Sequence, residues 1–190
     1  MYASRAGAKL EHALTEFSVD VSGKVCADLG CSAGGFTDCL LQKGASKVYA
    51  VDTGYGVLDY RLRLDPRVVV MEKTNALHVR LPEEMDVITI DVSWTPQRLI
   101  IPKAMSFLTP GGVIISLLKP HYENPRLLRH GKIQSSDLAG TILRVTNQLQ
   151  DEGINIKAVT TSPLTGEKGG NVEFLMLISY AILNPCPKLR

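Results

Sequence analysis

Four apolar segments of the chain each end at a charged side chain that could bind a polar ligand or exchange a proton. These side chains are Asp28, Asp52, Asp91 and Lys119. Apolar runs of this length, each followed by a turn, predict buried β-strands. Because ligands bind along the carboxyl ends of the strands in doubly wound sheets, we expect three carboxyl groups and one amine to lie along one edge of a sheet.

A glycine-rich turn follows the first of these strands, and a helical pattern begins after it at Phe36. Gly30, Gly34 and Gly35 are spaced as GxxxGG, whereas dinucleotide-binding turns have GxGxxG. Glycines let the backbone approach a ligand closely, and the amino end of a helix presents free N–H groups and a positive dipole. The spacing therefore favours the carboxylate and adenosine of S-adenosylmethionine; a turn that merely needs small residues is the alternative.

Two further positions predict contacts to the nucleoside part of such a cofactor. Asp52 follows the turn by about twenty residues, where a carboxylate can accept hydrogen bonds from both ribose hydroxyls. Asn75 lies in the polar segment after a third strand, residues 68–72, where the adenine edge would be recognised. The predicted cofactor contacts at the turn, at the start of the helix and at these two positions are Gly30, Ser32, Gly34, Gly35, Phe36, Asp52 and Asn75.

The composition is that of a globular protein with one domain. Of the 190 residues, 45% are hydrophobic and 21% are charged, and no apolar run is long enough to span a membrane. The chain does not begin with an apolar signal segment, and its cysteines, Cys26, Cys31, Cys39 and Cys186, lack CxxC spacing. We therefore expect a cytoplasmic protein with reduced cysteines, no metal site and no membrane contact.

Local clusters of basic residues matter more for RNA binding than the net charge, which is only +2. The segment 121–132 holds the strongest cluster, in which Arg126, Arg129 and Lys132 are predicted RNA contacts together with Arg5. A second group is either an RNA-facing surface or an ordinary solvated one, and it comprises Tyr55, Tyr60, Arg61, Arg63 and Arg67.

Helical and strand patterns alternate along the chain. A first helix from Ser4, which could cap it, to Phe17 carries Lys9 at the edge of its apolar stripe. Further helices are predicted at 96–108 and 136–152, a turn at 109–112, and strands at 113–118, 154–161 and 172–182. This order predicts an α/β, Rossmann-like fold of the class I S-adenosylmethionine-dependent methyltransferase type, with a seven-stranded, mostly parallel sheet, helices on both faces and an antiparallel last strand.

Six segments, taken in chain order, resemble the FtsJ-like ribose 2'-O-methyltransferases, and specifically the TlyA or haemolysin A branch that acts on ribosomal RNA. The segments are SRAGAKLEHAL, DLGCSAGGFTDCLL, YAVDTGYG, TIDVSW, LLKPHYE and SPLTGEKGGNVEFL. The resemblance implies a single methyltransferase domain over residues 1–190, whose first twenty residues form a helix with Lys9. It also implies a catalytic tetrad of Lys9, Asp91, Lys119 and Glu173, S-adenosylmethionine as cofactor, and ribosomal RNA or ribosomal subunits as partner. By the same resemblance, the cofactor pocket comprises Asp28, Gly30, Gly34, Gly35, Asp52 and Asp91.

The chain departs from the family pattern in two places. The glycine-rich segment that follows the third tetrad residue in the family is replaced by NPRLLRHGKIQSSD, residues 124–137. The TlyA branch also carries an RNA-binding S4 domain before the methyltransferase domain, and this chain begins where that domain would end. We therefore expect either a naturally short protein or a fragment.

Methyl transfer to a ribose hydroxyl is an in-line displacement, so the enzyme must align the reacting atoms and accept the hydroxyl proton. Burial and a second cation such as Lys9 would favour the neutral amine of Lys119 as the proton acceptor, whereas Asp91 and Glu173 would favour its ammonium form. Three alternatives remain. They are a small-molecule O-methyltransferase, a membrane-active haemolysin-like protein, and an RNA-binding module without catalysis.

Overall fold

The computed structural model describes residues 1–166 and 169–180. The helices are α1 Ala6–Glu16, α2 Gly35–Gln42, α3 Tyr60–Leu64, α4 Gln97–Met105, α5 Pro120–Glu123 and α6 Ser135–Asp151. The strands are β1 Val25–Leu29, β2 Lys47–Val51, β3 Val68–Met71, β4 Met85–Ile90, β5 Leu108–Leu118, β6 Leu128–Arg129, β7 Lys132–Ile133, β8 Asn155–Thr161 and β9 Phe174–Ser179.

Seven strands form one sheet in the order β3-β2-β1-β4-β5-β9-β8. The pairs β1–β2, β1–β4, β2–β3 and β4–β5 are parallel, and β9 lies antiparallel between β5 and β8. Strand order reverses at β1, so the carboxyl ends of β1 and β4 flank the crevice in which this class of sheet binds ligands. The predicted fold, including the antiparallel last strand, is confirmed.

Helices cover both faces of the sheet because successive residues of each strand point to opposite sides. On one face α1 and α2 bury Leu10 and Leu40 against β1, β2 and β5. On the other face α4 and α6 bury Ile101 and Leu149 against β4, β5 and β9. This packing fixes α1 over the sheet, and α1 carries one of the predicted catalytic lysines.

Several predicted element boundaries are wrong. Arg5, rather than Ser4, precedes the first helical residue, and its side chain makes no capping hydrogen bond. The predicted turn at 109–112 lies inside β5, whose register with β4 is irregular between Met85 and Val87. The segment 121–132, predicted as a loop, forms α5, a short 3₁₀ turn and the β6–β7 hairpin.

The predicted last strand at 172–182 begins only at Phe174, and its final two residues lie outside the described part of the chain. Cys26, Cys31 and Cys39 are buried free thiols, whereas Cys186 is outside the described residues. In residues 1–166 and 169–180 we find no helix that is both long and apolar enough to cross a membrane.

Candidate active site

A cavity of about 510 Å³ opens at the carboxyl ends of β1, β4 and β5. Its wall is formed by the glycine-rich turn, by the start of α1 and by the segments that follow β4 and β5. All four residues of the predicted tetrad line it, namely Lys9, Asp91, Lys119 and Glu173. The cavity is therefore the place where charged groups from distant parts of the chain meet.

Lys9 and Glu173 form a buried ion pair, with 2.5 Å between Nζ and Oε2. Lys9 lies on the buried face of α1, and Glu173 directly precedes β9; their side chains are 7% and 4% exposed. Gly166 passes close to this carboxylate, since a Cβ at that position would lie 2.8 Å from Oε1 of Glu173. The pair joins α1 to the antiparallel strand across the cavity.

Asp91 and Lys119 form a second pair, with 2.5 Å between Oδ1 and Nζ. They meet because they follow β4 and β5, which are adjacent and parallel. Lys119 also donates to the carbonyl oxygen of Val92 at 3.2 Å. Burial raises the pKa of the Asp91 carboxyl, and the ammonium groups of Lys119 and Lys9 oppose that rise.

The glycines of the turn make their closest contacts with the protein itself. A Cβ at Gly30 would lie 2.6 Å from the carbonyl oxygen of Asp91, and one at Gly35 would lie 2.2 Å from Oγ of Ser4. Gly34 has φ +94°, a left-handed conformation that is strained for any residue with a side chain. It packs against leucines of α3 and of the preceding loop. The turn is thus held against α1 and β4, and α2 begins at the cavity wall.

Asp28, a predicted cofactor contact, lies beneath the turn and does not line the cavity. Its carboxylate is fully buried and accepts hydrogen bonds from the hydroxyls of Thr37 at 2.7 Å and Thr89 at 3.0 Å. Burial raises the pKa of Asp28 to about 7, although both hydrogen bonds lower it. The residue ties α2 to β1 and β4 and supports the turn from below.

The raised pKa of Asp28 predicts a pH-dependent stability. Between its unfolded value of 3.8 and about 7, the folded chain binds a proton that the unfolded chain has released. Stability therefore falls as pH rises through this window, by about 1.4 kcal/mol per unit. We expect the wild-type free energy of unfolding to fall by about 2–3 kcal/mol more than that of Asp28→Asn between pH 5 and pH 8. Urea unfolding of both proteins measures this; parallel pH profiles would contradict it.

Asp52 and Asn75 lie along the neighbouring part of the sheet edge, outside the lining of the cavity. The Asp52 carboxylate accepts hydrogen bonds from the backbone N–H groups of Ser32 at 2.8 Å and Gly54 at 2.7 Å. It therefore connects the glycine-rich turn to the loop after β2. Asn75 accepts a hydrogen bond from the backbone of Leu77 at 2.9 Å. Of the other predicted contacts, Gly34 does not line the cavity, whereas the remaining five do, namely Gly30, Ser32, Gly35, Phe36 and Asp91.

Aromatic side chains at the cavity were missed by the sequence interpretation. The rings of Trp94 and Tyr122 lie 4.5 Å apart between centroids, and Trp94 is 74% exposed. Trp94 has φ +61°, a conformation unusual for a bulky residue. His121 lies against Tyr122, with 4.2 Å between ring centroids. All three residues directly follow strand ends in TIDVSW and LLKPHYE, the same signal that identified Asp91 and Lys119.

The two predicted groups of basic residues differ in the structure. Each arginine of the 61–67 group is ion-paired with a nearby carboxylate, as Arg61–Asp59, Arg63–Glu72 and Arg67–Asp65. Those arginines therefore brace the loops around α3, which favours the solvated alternative. The residues of the 121–132 cluster, Arg126, Arg129 and Lys132, are exposed on the 3₁₀ turn and the β6–β7 hairpin.

The hairpin is fixed to the segment that carries Glu173. Asn171, which is 3% exposed, accepts a hydrogen bond from the Ile133 backbone at 3.0 Å and donates to the Gly131 carbonyl at 3.0 Å. Arg5, which also lines the cavity, donates to the Thr165 carbonyl at 3.1 Å. The predicted RNA contacts thus lie on segments that border the cavity.

Comparisons with known proteins agree with this geometry. The family model of FtsJ-like methyltransferases matches residues 2–180. YqxC of Bacillus subtilis, described as a candidate rRNA methyltransferase, is 43% identical over 94% of this chain and 66% of its own length. TlyA of Mycobacterium tuberculosis, a 16S/23S rRNA (cytidine-2'-O)-methyltransferase, is 37% identical over 92% of this chain and 67% of its own. The chain thus spans about two thirds of the length of these relatives.

A solved structure with a similar fold comes from Streptococcus thermophilus and is described as a candidate hemolysin. It superimposes with a TM-score of 0.89 at 36% identity, and the match covers 94% of this chain and 67% of that one.

Proposed function

Since the chain belongs to the FtsJ-like methyltransferase family, we propose that it transfers a methyl group from S-adenosylmethionine to a ribose 2'-hydroxyl of ribosomal RNA in the cytoplasm. One observation carries the proposal. Two lysine–carboxylate pairs, Lys9–Glu173 and Lys119–Asp91, converge in one cavity beside the glycine-rich turn. A pocket that served only to bind a small ligand would not need two lysine–carboxylate pairs of this kind.

The cofactor would be held by the turn, the start of α2 and Asp52. The first backbone N–H groups of a helix have no partner within it, so those of α2 are suited to a carboxylate ligand. Negative charge at Asp91 suits a sulfonium, and the cavity of about 510 Å³ has room beside it for a nucleotide. When bound, S-adenosylmethionine supplies an electrophilic methyl group.

The chain's own residues hold the ribose hydroxyl and remove its proton. Lys119 is fixed by Asp91 and by the Val92 carbonyl, which aims its amine into the cavity. Once its ammonium form has lost a proton to solvent, the Lys119 amine accepts the hydroxyl proton while the hydroxyl oxygen gains the methyl group. Lys9 and Glu173 hold the opposite wall, so the hydroxyl is enclosed between two fixed pairs and little reorganisation is needed during transfer.

The surface around the cavity suits RNA. The exposed Trp94 ring, backed by Tyr122, offers a stacking face to an unpaired base. The adjoining 3₁₀ turn and β6–β7 hairpin carry three exposed positive charges that can contact RNA phosphates, namely Arg126, Arg129 and Lys132. Arginine and lysine contacts to phosphate position an RNA without reading its sequence. The arrangement therefore positions a single-stranded nucleotide with its ribose at the cavity.

The proposed function predicts that the chain binds S-adenosylmethionine and methylates ribosomal RNA. Isothermal calorimetry measures the first, and transfer of labelled methyl groups to deproteinised rRNA and to intact ribosomal subunits measures the second. We expect label to appear in RNA at ribose 2'-oxygens, which nuclease digestion and mass spectrometry can locate. Failure of the wild-type chain to bind the cofactor at millimolar concentration would overturn the proposal.

Reversing the hairpin charges should weaken RNA binding. Each phosphate contact contributes roughly 0.7–0.9 to the slope of log affinity against log salt, so Arg126→Glu, Arg129→Glu and Lys132→Glu together should make the slope shallower by about 2. A matched control reverses three exposed basic residues away from the cavity, Lys24, Arg98 and Lys157. Fluorescence anisotropy with an rRNA fragment at several salt concentrations measures the slopes. Equal slopes for both triple variants would place the RNA surface elsewhere.

A further inference from the structure

His121 is a buried titratable side chain in the cavity that the proposed mechanism does not use. It lies in α5, two residues after Lys119, and is 8% exposed. Its Nδ1 is shielded from solvent and has no hydrogen-bond partner among the described residues. Buried polar atoms in native proteins almost always have partners, so this unpaired nitrogen needs a physical reason.

The unpaired Nδ1 determines which ring nitrogen carries the proton. A buried N–H without an acceptor destabilises the folded state more than a buried lone pair without a donor does. The neutral ring therefore carries its hydrogen on Nε2, and Nδ1 keeps its lone pair. Burial and the nearby Lys119 and Lys9 ammonium groups lower the pKa of His121, which keeps the ring neutral at pH 7. Because Nδ1 is sealed off, the ring meets a molecule in the cavity through the edge that carries Nε2–H.

The aromatic neighbours of His121 indicate what it meets. Its ring contacts Tyr122, which in turn contacts the exposed Trp94. Both rings line the same cavity as His121 and Lys119, so a base that stacks on them lies in one cavity with the imidazole and the amine. Pyrimidine and purine edges both carry acceptor atoms that a neutral N–H can reach.

We propose that Nε2–H of His121 donates a hydrogen bond to an acceptor atom on the base of the target nucleotide, and thereby holds its 2'-hydroxyl beside Lys119. The proposal rests on the proposed function, which it extends by naming the residue that positions the substrate. His121 is a positioning residue in this role, since the proton of the hydroxyl passes to Lys119.

Two amide substitutions at position 121 distinguish the role of Nε2 from that of Nδ1. Glutamine places its amide nitrogen near the position of Nε2, whereas asparagine places it near Nδ1. We expect His121→Gln to keep the single-turnover rate within about threefold and His121→Asn to lose about 10- to 100-fold, because a misplaced substrate costs rate. RNA affinity should not change in either variant, since phosphate contacts dominate it. His78→Gln, at an exposed position outside the cavity, is the matched control.

The outcomes distinguish this proposal from the proposed function. A wild-type chain that fails to methylate rRNA would overturn both, whereas an active wild type with equal rates for the two amide variants would overturn only the role of His121. Nitrogen-15 NMR of labelled histidine tests the tautomer without any turnover, with the His121→Gln spectrum assigning the signal. A hydrogen on Nε2 at pH 7.5 supports the proposal; a hydrogen on Nδ1, or a doubly protonated ring, would overturn it.

Discussion

Replacing Lys9 with methionine is expected to lower the free energy of unfolding by about 3–5 kcal/mol, because it leaves Glu173 as a buried charge without its partner. Both side chains are less than a tenth exposed, so water cannot replace the missing ammonium group. The methionine keeps the apolar stem of the lysine, and the packing of α1 is therefore preserved. Urea unfolding at pH 7 measures the loss.

A double variant separates the structural role of this pair from its role in catalysis. Glu173→Gln in the Lys9→Met background removes the unpaired charge, so most of the lost stability should return. If the pair also helps to hold the ribose hydroxyl, methyl transfer should stay low although the fold has recovered. If both the stability and the rate of methyl transfer recover in the double variant, the Lys9–Glu173 pair only supports the fold. Lys43→Met, which breaks the exposed pair with Glu11, is a control that should change the stability far less than Lys9→Met does.

Chargeable residues at the carboxyl ends of predicted strands are expected to line the ligand-binding edge of the sheet. This strand-end rule was sufficient to predict that Asp91 and Lys119 lie together at that edge. Both follow buried parallel strands, and because those strands are neighbours in the sheet their side chains meet at 2.5 Å. The same rule placed Asp28 at the sheet edge where ligands bind, and the structure encloses its carboxylate beneath the turn. Side chains alternate between the faces of a strand, and which way the last one points depends on twist and on the following turn. For Asp28, hydrogen bonds from two threonine hydroxyls below the turn hold the carboxylate away from the cavity.

The Lys9–Glu173 pair could not be predicted from local patterns. Its members are 164 positions apart, and they meet only because α1 packs on the sheet face beside β9. A lysine on an amphipathic helix is ordinarily solvated, so nothing in residues 4–17 alone distinguishes Lys9; the family resemblance did. Three aromatic residues also lie in segments that follow strand ends, namely Trp94, His121 and Tyr122, but the prediction from strand ends considered only acidic, lysine and amide side chains.

Replacing Lys119 with methionine should lower the single-turnover rate of methyl transfer by roughly 10²- to 10⁴-fold, which is the range for loss of a general base. Methionine retains the apolar stem, so the cavity keeps its shape while the proton acceptor is gone. Affinity for S-adenosylmethionine should hold within a few fold, because the turn and Asp52 are unchanged. Rapid quench at saturating cofactor and RNA measures the rate, and calorimetry measures the affinity.

A salt bridge that only supports the fold would give a different pattern. Without Lys119, Asp91 is a partly buried carboxylate that has lost its cation. Burial already raises the pKa of this carboxyl, so Asp91 would either take up a proton more readily or destabilise the fold. In that case the melting temperature and the cofactor affinity would fall, while the rate at saturation would stay near that of the wild type. Lys119→Arg is the informative control, since arginine keeps the ion pair but is not deprotonated near pH 7. A Lys119→Arg variant that melts normally and binds the cofactor as the wild type does, and yet transfers methyl groups far more slowly, supports Lys119 as the proton acceptor, because arginine keeps the positive charge but cannot accept a proton near pH 7.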